Sequence, residues 1–185
     1  MRQHKLHAMV ECAIMIALAT VLSMISIYKL PLGGSVTLLS MLPICLIGLR
    51  RGALWGFGSA FVYSVLQLLL SVSEVLSWGL TPAVLIACFL FDYIFAYSAL
   101  GITSLFRGRS TGMMCAGIAA AMFVRFLCHL FSGVVLFAAW APEGWNPFVY
   151  SVVYNGAYML PEMILTMVAV FIINKTGAMN RLLAK

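Results

Sequence analysis

Four ionisable side chains stand inside long apolar runs: Asp92, Arg125, His129 and Glu162. Each costs about 2.5–3.5 kcal/mol at a helix centre if it faces lipid. They must therefore turn inward, pair with one another or meet a ligand. Arg125, His129 and Gly133 recur at every fourth residue and share one helix face. Gly133 has no side chain, so the spacing predicts a pocket wall with room above His129. Farther along, Tyr150 and Tyr154 share a face, and Asn155, Tyr158 and Glu162 share a neighbouring one. Rings offer stacking and cation–π contacts. Asp92 offers a countercharge and a charge-assisted hydrogen bond. Together these groups suit a small, flat, positively charged ligand. The competing reading is packing, with Asp92 paired to Arg125, His129 a satisfied interior histidine and the rings core or interface anchors.

The elements that must position these residues follow from composition. The chain has 185 residues, 64% of them hydrophobic and 9% charged, with a mean hydropathy of +1.08. A soluble domain is about half apolar and a quarter charged. This chain cannot cover itself with polar surface, so the lipid bilayer is its expected solvent, and a nucleic-acid surface has no place on it. Six apolar segments are predicted as an all-α bundle of transmembrane helices in a single integral-membrane domain spanning residues 1–185: about 8–28, 36–49, 53–72, 80–105, 112–139 and 148–173. The second is short for a span and is expected to be tilted, broken or extended into its loop. MRQHKLH followed by an apolar run resembles a signal peptide, but Ala17-Leu18-Ala19 falls mid-run, so an uncleaved first helix is expected.

Charge supports this division. All 11 Lys and Arg except Lys29 and Arg125 fall at the N-terminus, the second-to-third turn, the fourth-to-fifth turn or the C-terminus. Six spans put those four places on one side, and the positive-inside rule makes that side cytoplasmic, both termini included. The opposite connections differ in character. YKLPLGGSVT has a proline and a glycine pair, which predicts tight or irregular backbone. WAPEGWNP carries Trp140 and Trp145, either interface anchors or a lid over an outward-facing site. Glu11 lies near the cytoplasmic end of the first helix and is given a structural role.

Counting about 1.5 Å per residue from the outer ends puts Asp92 and His129 roughly 15 Å deep and Asn155 roughly 10 Å deep. Arg125 and Glu162 fall roughly 20 Å deep, where they are expected to form a buried ion pair beneath the site. On the first helix, Ala13 and Ala17 have the small-xxx-small spacing that lets another helix approach closely. The five cysteines, none in a C-x-x-C pair, read as small buried hydrophobes with no metal or disulfide role. No nucleotide-binding P-loop, H-E-x-x-H or G-x-S-x-G motif occurs. The chain is also too small for two inverted transporter repeats. If it moves a solute uphill, another subunit supplies the energy.

One stretch is more specific. RFLCHLFSGVVLFAAWAPEGWNPFVYSVVYNGAYMLPE, residues 125–162, resembles the thiamine-specific substrate-binding subunits (S-components) of energy-coupling factor transporters. Residues 30–52 and the FDY at 91–93 match the same family in the same order. The resemblance implies a six-helix, non-enzymatic, cofactor-free subunit in a prokaryotic cell membrane. It implies thiamine as ligand, in a pocket between the outer halves of helices four to six. It also implies docking on a membrane T-component driven by two cytoplasmic ATPases. By resemblance, Asp92 faces the ligand with Tyr93 beside it, and His129, Gly133, Tyr150 and Asn155 stand at binding positions. Arg125 stands where a basic residue occurs, Trp145 matches an outer-loop aromatic, and Ala13 and Ala17 match the docking motif. The chain departs from some members at Gly34 and Phe137, where those have Trp, and at Asp92, where those have the longer Glu. Three alternatives remain: a thiamine precursor such as hydroxymethylpyrimidine or another vitamin as ligand, a membrane enzyme with His129 and Asp92 as acid and base, and a purely structural subunit whose buried charges lock the bundle.

Overall fold

The computed structural model describes residues 2–177, apart from the side chains of Arg2, His4 and Leu32. Arg181 and Lys185, counted above among the basic residues of the C-terminus, lie outside the described residues. Six helical segments follow one another: α1 (Arg2–Met24), α2 (Met41–Arg51), α3 (Ala53–Ser77), α4 (Pro82–Phe106), α5 (Thr111–Val135) and α6 (Pro147–Lys175). Among the described residues, five of these are long and apolar enough to cross a bilayer. The exception is α2, whose 11 residues reach about 16 Å, roughly half of a bilayer's hydrocarbon thickness.

The short second helix has a cause in the chain before it. Val36 and Thr37, expected to begin that span, instead join a hairpin, β1 (Ser26–Lys29) and β2 (Ser35–Thr37), paired antiparallel with Tyr28 opposite Val36 and Lys29 opposite Ser35. β1 also takes residues 26–28 from the end expected for the first span, whose helix stops at Met24. The Pro31–Gly33 turn closes it, with Leu30 N–H donating to Gly34 O at 2.7 Å. β-branched residues at Val36 and Thr37 favour the strand. Leu39 then takes a left-handed φ of 60° before α2 begins.

α2 and α3 meet at Gly52, whose φ of 86° only glycine adopts without strain. Glu11 accepts hydrogen bonds from Arg50 and Arg51, the latter through Nε at 2.9 Å, so the expected structural carboxylate ties α1 to the end of α2. α1 buries Ala8, Cys12, Ile16 and Ala19, a helical stripe, against a core that includes Ile44, Leu49, Tyr63, Leu100 and Ile118. Ala13 and Ala17 are on its exposed side.

α4 is not uniform. It starts at Pro82, widens into a π-helical turn over Phe89–Phe95, and narrows to a 3-10 helix over Ala99–Phe106. The narrow part is long for its type. It is built on small residues where neighbours press close: a Cβ at Gly101 would run into the Phe57 ring. α6 starts at Pro147 behind Asn146, whose side chain accepts from the Phe148 and Val149 amides at 2.9 and 3.4 Å.

Candidate functional site

A cavity of about 600 Å³ opens at the end of the bundle where α1 and α3 finish and α6 begins, and the hairpin lies over one side of it. Small-molecule sites span about 300–1,000 Å³. The walls come from α3, α4, α5, α6 and the hairpin, so residues distant in sequence converge.

The π-turn of α4 carries Asp92 and Tyr93 into this wall. An extra residue per turn breaks the helical register, a device found at functional sites. Across from it, α5 supplies His129 and Ser132. His129 Nδ1 lies 2.9 Å from Asp92 Oδ1, and Ser132 Oγ donates to Oδ2. A carboxylate only accepts, so the Nδ1–H donates to Asp92 and fixes the tautomer. His129 Nε2 is then left buried and, among the described residues, without a partner. The expected level match of Asp92 and His129 is therefore a direct contact. The alternative pairing of Asp92 with Arg125 does not form among the described residues.

α6 supplies the facing wall. Tyr158 Oη donates to Asn155 Oδ1 at 2.8 Å, and Asn155 Nδ2 donates to Ser151 O at 2.9 Å. Asn155 is 5% exposed, so its amide is held rigid. Tyr150, Tyr154 and Tyr158 form a ladder down the cavity, with successive ring centroids 5.8 and 5.9 Å apart. The middle tyrosine also holds the hairpin: its Oη donates to Pro31 O and accepts from Gly34 N at 3.0 Å. A Cβ at Gly34 would meet the Tyr154 hydroxyl and the Tyr158 ring at 2.8 and 2.9 Å. Bare backbone at Gly34 thus allows the latch.

A second aromatic group also lines the cavity. Trp78 meets Phe137 and Trp140 edge-on at 5.9 and 5.7 Å, and Phe137 meets Trp140 at 5.1 Å. All three line the cavity.

At the inner end, Glu162 is 1% exposed and accepts from Thr37 and Ser40, the latter at 3.3 Å. Arg125, 4% exposed, lies over the Tyr97 ring at 4.4 Å and donates to Met41 Sδ at 3.6 Å. The expected Arg125–Glu162 ion pair does not form among the described residues. Glu162 Oε1 is turned to the Thr37 and Ser40 hydroxyls, and the guanidinium stacks on Tyr97 instead. Both still line the cavity, and among the described residues Arg125 Nε has no partner.

Of the sequence-predicted residues, Asp92, Tyr93, Arg125, His129, Gly133, Tyr150 and Asn155 all line this cavity. Two expectations need correction. Trp145 is absent from the lining and packs edge-on outside, against Tyr150 at 6.2 Å. The room left by Gly133 is filled: a Cβ there would strike Ser151 Oγ, so the glycine lets α5 and α6 approach closely. Sequence reasoning missed Ser132, although it lies one helical turn past His129. It also missed the hydroxyls of Thr37, at the end of the hairpin, and Ser40, just before α2, for which no local pattern exists.

Comparison with known proteins fits this geometry. The sequence model of the family described as thiamine transporter protein (Thia_YuaJ) matches residues 9–181. A protein of Bacillus subtilis (strain 168), named thiamine transporter ThiT, is 31% identical over 91% of both chains. A protein of the same name from Lacticaseibacillus paracasei is 31% identical, covering 92% of this chain and 88% of that one. The solved structure of ThiT from Listeria monocytogenes shares the fold, with a TM-score of 0.78 at 24% identity over 97% of this chain and 98% of that chain.

Proposed function

The chain belongs to the thiamine transporter protein family, and from that premise we propose that it is the thiamine-binding S-component of an energy-coupling factor transporter. The observation that carries this reading is the braced Asp92–His129 pair, with His129 Nε2 unpartnered among the described residues, in a cavity that two groups of rings also line. Thiamine is a flat pyrimidine joined to a cationic thiazolium. The thiazolium takes Asp92 as countercharge, with Trp78, Phe137 and Trp140 or the tyrosine ladder as stacking surface. The aminopyrimidine offers donors and acceptors to His129 Nε2 and Asn155. Tyr93 and Tyr150 complete the walls, Arg125 braces the inner end, and Gly133 sets the α5–α6 distance. Trp145 contributes from outside the cavity by holding Tyr150.

Transport requires more than capture. The protein sits in a prokaryotic cell membrane as one substrate-binding domain, with both termini cytoplasmic and the cavity facing out. The exposed Ala13 and Ala17 face of α1 docks on a T-component, and two cytoplasmic ATPases drive release. Neither catalysis nor a cofactor is part of this role. The test is competition binding on the purified protein. Thiamine is expected to displace bound radiolabelled thiamine far below the concentration at which hydroxymethylpyrimidine does so. Equal or better displacement by the pyrimidine moves the assignment to the precursor.

A further inference from the structure

At the end of the bundle opposite the cavity, a second cleft of about 240 Å³ is lined by Lys5, Ala8, Arg51, Trp55 and Arg107. Its place follows from helix direction. α1 and α3 start here and finish at the cavity, and α4 ends here. We propose that this cleft binds the phosphate headgroup of an anionic membrane lipid.

Three observations carry this. First, three cations from three separate regions of the chain converge on one concavity, whereas charges that served only to orient the chain would need no convergence. Arg51 is shared with Glu11, but among the described residues Lys5 and Arg107 form no ion pair. Second, Arg107 has a bed. A Cβ at Gly52 would come within 3.3 Å of Arg107 Nη1, so the bare α2–α3 turn leaves room for the Arg107 side chain, which lines the cleft. Third, exposed apolar side chains adjoin the lining residues in sequence: Leu6, Leu54 and Leu105 are 59%, 83% and 65% exposed. A free phosphate has no use for such neighbours, while the acyl chains of a lipid do. Trp55, packed on the core from the cleft, adds the amphipathic ring favoured at headgroup depth. Basic pockets between helices on the cytoplasmic side select phosphate headgroups in this way.

The inference uses the orientation proposed above, but its test does not. Delipidated protein in neutral detergent is titrated with short-chain phosphatidylglycerol, phosphatidylcholine or inorganic phosphate, and adducts are read by native mass spectrometry. Phosphatidylglycerol is expected to saturate one site that neither of the others fills. In the Lys5→Gln/Arg107→Gln double variant that binding weakens about 25-fold, about fivefold per cation. Thiamine affinity of the same variant stays unchanged, since the cavity lies at the other end. Equal uptake of phosphatidylcholine, saturation by inorganic phosphate as readily as by lipid, or full binding by the variant would each overturn the proposal. Loss of thiamine binding by the unaltered protein would instead overturn the functional reading and leave the lipid result standing.

Discussion

Two of the carboxylates that line the cavity, Asp92 and Glu162, are held in opposite ways. Asp92 stands on a widened turn, braced on both oxygens by α5, beside a histidine nitrogen with nothing to bond. Glu162 stands directly after Pro161 inside α6, nearly sealed, and its partners are the hydroxyls of Thr37 at the end of the hairpin and Ser40. The first arrangement keeps a charge in place for something that arrives. The second fastens one part of the chain to another. A buried polar group that is fully partnered rigidifies, whereas one left short marks where a ligand completes the set.

That difference can be broken by mutation. The largest expected effect on binding is from Asp92→Ala, which orphans His129 and Ser132 and removes the countercharge. Thiamine affinity should fall by about 3 kcal/mol, the upper end for a charged partner, with a small change in Tm. Tryptophan fluorescence titration and thermal unfolding measure the two. Glu162→Gln should do the reverse, lowering Tm through the hairpin contacts while costing less than about 1 kcal/mol of affinity. If the two variants behave alike, the contrast is wrong. Ser132→Ala should weaken binding by about 1 kcal/mol, because Asp92 keeps His129 but loses its second brace; isothermal calorimetry resolves that step. Smallest in binding and largest in transport is Ala13→Trp with Ala17→Trp. Binding should be unchanged, and vitamin uptake by cells carrying the complete transporter should be lost. Normal uptake would remove the exposed α1 face from docking.

Much of this was legible in the sequence because the bilayer enforces simple rules. Apolar length gave five long helices within a few residues of their bounds, and inward-facing polar residues announced the cavity. The failures are equally physical. Residues 36–49 read as one apolar span because a short apolar run does not distinguish a strand from a helix; Val36 and Thr37 went to the hairpin. The Arg125–Glu162 pair was expected from depth alone. Rise per residue fixes the level of a side chain but not its neighbours; Arg125 lies over Tyr97, and Glu162 bonds to Thr37 and Ser40. The π-turn that carries Asp92 leaves no periodic trace in FLFDYIF. Gly133 was read as space for a ligand, but a glycine serves a close-packed helix as readily, and Ser151 fills the gap.

The central claim is that the cavity takes thiamine at Asp92. Trp78 and Trp140 line that cavity, so their fluorescence reports an arriving ring directly. Purified protein and its Asp92→Ala variant should be titrated with thiamine side by side. The account predicts saturable quenching of the unaltered protein at nanomolar to low micromolar thiamine and a curve displaced to much higher concentration in the variant. Superimposable curves, or no saturable response from the unaltered protein, would contradict it.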